Sequence, residues 1–414
     1  KQALGLDPDA RFAMPKPIIE HTRRVIIRNQ ALRDEWEVSY AGWRAAHGAN
    51  ARLFDRLMDG RLPEAWPNGL PDFAAGSAVS TRVASGKVIT ALAKMLPELW
   101  GGSADLAESN MTTMVGQPSF RAIPADTGAW PGGPGGRVLH FGIREHAMGQ
   151  ILNGIVLHGP TRAFGGTFLV FSDYMRPAVR AAALMGLGTI FVWTHDSIGV
   201  GEDGPTHQPI EQVATLRAIP GLAVVRPADA NETAWAWHTA IERPHQPCGL
   251  ILSRQNLPVL ARADLHTANG ELLASAAGTA RGAYILAEPK ADLSLDVILI
   301  ASGSEVHPAL AARQLLAADA VGARVVSVPC WEWFAEQSSE YQELVLPSTV
   351  RARVSIEAGS TLGWREKVGE YGRMVGIDHF GAGASGDQLM ERFGFTGQNI
   401  AAQAKESIRA ARGF

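Results

Sequence analysis

Cysteine is nearly absent from this chain of 414 residues: only Cys248 and Cys330 occur. They are distant in sequence and lack metal-ligand spacing, which excludes a disulfide scaffold and a cysteine zinc site. Buried thiols in a reducing cytoplasm are the expectation for both. No apolar run approaches the roughly 18 residues a membrane span needs, and no signal-peptide pattern is present, so no membrane partner is expected. Strong charge of either sign is missing as well. The formal net charge is -3, and no basic stripe stands out, which argues against a nucleic-acid footprint. No G-x-x-x-x-G-K-[ST] motif occurs. Gly132-Gly133-Pro134-Gly135-Gly136 lacks the preceding strand and following helix of a phosphate-cradling loop, and is expected to be a mobile turn. Repeats and low-complexity segments are absent too.

What is present fits a large soluble α/β protein. Apolar residues make up 46% and charged residues 19% of a chain too long for one core, which implies two or three domains. Residues 33–59 carry a helical pattern that breaks at Gly60, and a Pro/Gly-rich passage over 62–72 marks a boundary. From about 80 to 260, helical patterns (86–96, 144–157, 174–185, 209–219, 231–241) alternate with strand-like runs (138–141, 162–164, 189–193, 223–226, 249–252). Such alternation predicts helices covering a mostly parallel sheet. A polar connection over 262–282 leads to a second α/β unit, with strands at 297–301, 324–328, 353–356 and 374–377 and helices at 307–317, 388–393 and 399–411. That unit shows no dense cluster of titratable groups, so a packing or dimerisation role is expected for it.

The richest stretch runs from Thr194 to Pro209, T-H-D-S-I-G-V-G-E-D-G-P-T-H-Q-P. It holds His195, Asp203 and His207 on a glycine-rich loop between a strand and a helix, where α/β proteins build ligand sites. A turn with capping groups is the plain alternative. Two histidines framing an acidic turn favour proton handling near neutral pH. A second constellation is L-H-F-G-I-R-E-H-A-M-G, which sets Glu145 in the first turn of a helix that is apolar on nearly every side. An acidic residue at a helix start often only complements the dipole. Buried, however, a carboxylate is costly unless it has a partner or a task.

Phe168, Phe171 and Tyr174 recur at i, i+3 and i+6. That spacing suits a core helix face, or else an aromatic cage for a flat ring. Arg82, Asp105, Ser109 and Arg254 each sit at a strand end or loop, where single residues are ordinarily caps or surface groups. Two arginines and a serine in one unit could together bind a phosphate.

F-G-I-R-E-H-A-M-G, G-G-S-A-D-L-A-x-S-N, the Thr194–Pro209 loop and L-S-R-Q-N-L, all on one chain, resemble transketolase over essentially its whole length. The resemblance implies a fold of two consecutive mostly parallel-sheet α/β domains. Residues 1–46 would be the tail of a pyrophosphate-binding domain with its linker. Residues 47–262 would be a pyrimidine-binding domain, 263–285 a linker, and 286–414 a C-terminal domain. It implies thiamine-diphosphate-dependent transfer of a two-carbon ketol unit between sugar phosphates.

Carried over by position, Glu145 would bond the cofactor's aminopyrimidine ring, favouring the imino tautomer. Phe168, Phe171 and Tyr174 would pack around that ring, and Asp105 would lie near the cofactor and a subunit contact. His207 and Asp203 would meet the donor sugar's hydroxyls, with His207 assisting proton movements. Arg82, Ser109, His195 and Arg254 would form the sugar-phosphate site. Related readings are a 1-deoxyxylulose-5-phosphate synthase or dihydroxyacetone synthase, or a non-catalytic assembly subunit. The family's G-D-G motif with its following asparagine is absent, so no metal ligand is expected here. A divalent cation, Mg or Ca, is expected to be held by a pyrophosphate-binding domain. The opening K-Q-A-L-G-L-D-P reads as the end of an element, so a fragment or split subunit is expected, working as a homodimer or with a chain that carries that domain.

Overall fold

The protein is described by a computed structural model over residues 1–122, 131–263, 273–290 and 292–413. Within the expected linker 263–285, residues 264–272 lie outside the described residues. Two compact units are present, Lys1–Arg61 and Leu62–Phe414. In the first, helix α1 (Lys16–Ala46) has a proline in its opening turn, where the lost N–H costs nothing. The expected helix over 33–59 is instead the end of α1 and a second helix, α2 (Gly48–Met58). His47, at φ -128 and ψ 54, leaves the helical region between them. A hairpin results, closed by Arg44, whose Nη1 and Nη2 donate to Asp55 at 2.6 and 2.8 Å. Tyr40 and Trp43 meet Phe54 edge-on across it.

The second unit contains an eight-stranded, wholly parallel sheet. Its main strands are β1 (Leu99–Ser103), β2 (Val138–His140), β3 (Arg162–Phe168), β4 (Ile190–Thr194), β5 (Ala223–Val225) and β6 (Cys248–Leu252). In space they run β2-β1-β3-β4-β6-β5, and Ser119–Phe120 and Gly132–Gly133 extend the β2 edge. Gly132–Gly133 is thus a short edge strand and not the mobile turn expected. Every residue of β4 and β6 is buried, as a strand covered by helices on both faces must be. Helices α3 (Thr81–Met95), α4 (Glu145–His158), α5 (Ser172–Met185) and α6 (Ala230–Glu242) supply that cover.

β1 escaped the sequence reading because L-W-G-G-S has no strand-like alternation. Its glycines answer to packing instead. A Cβ on Gly102 would overlap the Leu139 carbonyl oxygen, and one on Gly101 would overlap Phe164.

A second sheet follows, from β7 (Tyr284–Ala287), β8 (Val297–Ala301), β9 (Ala323–Ser327), β10 (Arg353–Ile356) and β11 (Arg373–Val375). Its order is β7-β9-β8-β10-β11, and only β7 is antiparallel to its neighbour. Helices α7 (Val306–Ala318) and α8 (Gly397–Arg412) pack together on this sheet. Two buried carboxylates of this unit, Glu305 and Glu357, meet partners that come from the domain of the large sheet. Arg217 makes two hydrogen bonds to buried Glu357, at 2.7 and 2.8 Å, and Arg226 pairs with buried Asp196 and Glu305. Burial pushes the Glu357 carboxyl up, but Arg217 outweighs that and holds it down at about 2. Burial raises Glu305 despite its arginine.

Candidate active site

All the candidate side chains except Arg82 stand beyond the carboxyl ends of five neighbouring parallel strands. Reading across the sheet, β2 leads to Glu145, β1 to Asp105 and Ser109, and β3 to Phe168, Phe171 and Tyr174. β4 leads to His195, Asp203 and His207, and β6 to Arg254. Arg82 joins them from the first turn of α3. Parallel strands gather segments that are far apart in the chain onto one edge, where open α/β sheets bind ligands.

His195 is the most deeply buried of the titratable members. It is 3% exposed, and its ring lies 3.7 Å from that of Phe168, centre to centre. Its Nδ1 is 2.8 Å from Thr194 Oγ1, which accepts from Asn110 Nδ2 at 2.6 Å. Ser103 Oγ lies 2.9 Å from Asn110 Oδ1 and extends the chain of contacts into β1. Burial, followed by the Arg82 and Arg254 cations and His207, depresses the His195 pKa to about 3. At neutral pH the ring is an uncharged imidazole set among cations.

The arginines around it are incompletely partnered. Arg82 Nη1 donates to the Ser109 carbonyl at 2.7 Å, but its buried Nε–H has no partner among the described residues. Burial and neighbouring Arg254 both lower the Arg82 pKa. Two like charges held together with no carboxylate between them fit an anion of phosphate geometry.

The aromatic residues do not form a helix face. Phe168 ends β3, Phe171 lies in the following turn and Tyr174 in α5. Phe168 and Phe171 stack with centroids 5.8 Å apart, and His207 meets both rings edge-on at 6.1 and 5.7 Å. Tyr174 is 66% exposed and touches this group only through Phe171, at 6.0 Å. A cavity of about 470 Å³ opens beside β1 and β2, lined among others by Ser103, Asp105, Ser109, Thr112 and Gly142. Asp105, at φ 62, shares with His195, at φ 64, a backbone region that side chains other than glycine enter at a cost.

Glu145 is 9% exposed, and its carboxylate has no hydrogen bond or ion pair with any described residue. The adjacent guanidinium of Arg144 turns back to the Phe141 carbonyl at 2.9 Å. Asp203 is exposed and likewise makes no hydrogen bond or ion pair with the others among the described residues. Thus Arg82, Ser109, Phe168, Phe171, His195, His207 and Arg254 are brought together, and Asp105 shares a cavity with Ser109. Glu145 and Asp203 share the sheet edge alone. Asn110 and Thr194 lie in the quoted motifs but went unnoticed, because an asparagine and a threonine carry no chemistry until their partners are known. Among the described residues, no group of three or more His, Cys, Asp or Glu is placed to hold a metal ion, and no helix is long and apolar enough to cross a membrane.

Residues 77–259 match the family model described as "Transketolase, pyrimidine binding domain" and 282–396 match "Transketolase-like TK C-terminal domain". Residues 1–63 match "Transketolase, thiamine diphosphate binding domain". A transketolase of Mycobacterium tuberculosis is 51% identical over 99% of this chain, and one of Halalkalibacterium halodurans is 46% identical over 98%. The chain spans 58% of the length of each. A crystal structure of Pichia stipitis transketolase in complex with sedoheptulose 7-phosphate superposes with a TM-score of 0.90 at 38% identity, covering 100% of this chain and 58% of that one.

Proposed function

The chain belongs to the transketolase family, and from that premise we propose that it supplies the pyrimidine-binding and sugar-phosphate parts of a thiamine-diphosphate-dependent transketolase site. The observation that carries this reading is the pair of arginines, Arg82 and Arg254, beside a buried, neutral His195 at the carboxyl edge of the sheet. Such a set binds a phosphate dianion by charge and direction together, with Ser109 beside Arg82. His207, packed on the Phe168–Phe171 stack, and Asp203 are placed in this reading at the sugar hydroxyls, where His207 takes and returns a proton.

The residues present also suit the cofactor. Glu145 is a largely buried carboxyl group lacking a hydrogen bond among the described residues, which leaves it free to share a proton with a ring nitrogen of a ligand. Phe168, Phe171 and Tyr174 offer aromatic surface to a flat ring, and Asp105 lies on the cavity beside them in sheet order. When bound, thiamine diphosphate supplies the nucleophilic carbon that carries a two-carbon ketol unit from a ketose phosphate to an aldose phosphate. The protein's part is to hold a proton between Glu145 and the ring, grip the phosphate and exclude water.

The reading includes a divalent cation, Mg or Ca, and diphosphate ligands carried by residues outside this span, in a cytoplasmic homodimer or with a partner chain. These 414 residues alone are therefore expected to hold the cofactor weakly and to turn over little. The test uses the longer protein, or this chain reconstituted with one supplying the remaining domain. With xylulose 5-phosphate and ribose 5-phosphate, sedoheptulose 7-phosphate is the expected product, and Glu145→Ala is expected to abolish it. Unchanged turnover in Glu145→Ala would instead mark an assembly role.

A further inference from the structure

The loop that carries His195 and His207 is not held by its own domain alone. His195 sits at φ 64, a conformation that persists only where the flanking chain enforces it. On the N-terminal side that work falls to Thr194, locked into β4 and bonded by Asn110. On the C-terminal side it falls to Asp196, whose buried Oδ2 accepts from Arg226 Nε at 3.1 Å and Nη2 at 2.7 Å.

Arg226 is in turn gripped by the second sheet. Its Nη1 donates to the Ser302 carbonyl at 3.0 Å and pairs with Glu305. Its main-chain N–H donates to the Pro329 carbonyl at 2.8 Å, and its carbonyl accepts from the Gly303 N–H at 3.0 Å. Glu305 is itself aimed by the Ala358 N–H at 2.9 Å. Gly303, at φ 57, leaves room for this approach, since a Cβ there would press into the guanidinium.

A second tie holds the far end of the loop. Gln208 Nε2 donates to the carbonyls of Gly201 at 2.8 Å and Ala382 at 2.9 Å, and its Oε1 accepts from the Ala382 N–H at 3.1 Å. Near the middle of the loop, a Cβ on Gly386 would lie 2.8 Å from the Gly199 carbonyl oxygen, so the two backbones touch.

We propose that Asp196, Arg226 and Gln208 are positioning residues through which the C-terminal domain holds His195 and His207 in place for a sugar phosphate. The identity of the ligand rests on the function proposed above. The brace does not. It gives the C-terminal domain a task that its lack of the candidate residues leaves unexplained: it fixes the geometry of a loop that belongs to its neighbour.

The test compares the full chain with its Asp196→Asn, Gln208→Ala and Arg254→Ala variants. Amide hydrogen exchange is followed across 195–208, with β6 as the internal reference, and ribose 5-phosphate affinity is measured by calorimetry. In Asp196→Asn the 196–201 amides are expected to exchange at least about tenfold faster while β6 is unchanged. Its Kd for ribose 5-phosphate is expected to rise by about tenfold. Gln208→Ala is expected to act the same way around 201–208, and it carries the test if Asp196→Asn does not fold. Arg254→Ala is expected to weaken binding and leave loop exchange as it was.

Unchanged exchange over 195–208 in the folded variants overturns the proposal. So does an acceleration shared equally by β6, or a loosened loop that binds as tightly as the parent while Arg254→Ala binds weakly. If Arg254→Ala itself binds like the parent, the sugar-phosphate reading fails, and the exchange rates alone decide for or against the brace.

Discussion

A neutral histidine among arginines makes a measurable demand on stability. The ordinary His pKa of 6.5 falls to about 3 for His195 in the folded protein. Between those values the unfolded chain binds a proton that the folded protein refuses. Stability contributed by the neutral ring is thus complete above pH 6.5 and is lost steadily as pH falls toward 3, by up to ~5 kcal/mol. His195→Asn is expected to flatten the pH dependence of stability over that window, as measured by urea unfolding at a series of pH values. His195, Arg82 and Arg254 could be picked out as candidates in the sequence, because charged or titratable types stood beside strand-like runs and turns, although Arg82 proves to lie in the first turn of α3. Their state was not legible there. The lowered His195 pKa comes from its depth of burial and from Arg82, Arg254 and His207 gathered round it, an arrangement with no local signature.

Strands β4 and β6 could be read directly, since I-F-V-W-T and C-G-L-I-L are unbroken buried runs. β1 could not, because its two glycines give up strand propensity to let neighbouring main chain come close. Gly102→Ala is expected to destabilise the protein by about 1–3 kcal/mol or to prevent folding, because the added carbon meets backbone that cannot rotate away. Gly133→Ala, in an edge strand with no atom of the described residues within 4 Å of the new Cβ, is expected to be nearly neutral. Thermal melting of the two variants side by side checks the contrast. The same reasoning explains the helical misreading over 33–59: apolar periodicity continues through His47, while the chain turns there to let Arg44 reach Asp55.

Across residues 62–414, two buried clusters stitch the sheets together. One is Asp196–Arg226–Glu305. In the other, Arg262 pairs with Asp229 and Glu232 and donates to the Tyr284 hydroxyl at 2.7 Å, while Ser327 donates to Glu232 at 2.8 Å. Breaking such a pair strands a buried charge, which costs far more than a surface ion pair is worth. The two sheets are therefore expected to melt in one transition, with calorimetric and van't Hoff enthalpies in agreement. Residues 62–263 expressed alone are expected to aggregate or to melt well below the full chain. None of this was visible beforehand, because each charge stands alone in sequence and meets its partner only through the fold.

One small ladder bears on how the molecule comes into being. Ala78–Val79 pairs antiparallel with Leu257–Pro258, and the strands of the large sheet all lie between them in sequence. During translation, residues 78–79 leave the ribosome long before their partner is made. The nascent sheet waits with its opening segment untethered until position 258 clears the exit tunnel, so slower elongation lengthens its exposure to chaperones and proteases alike.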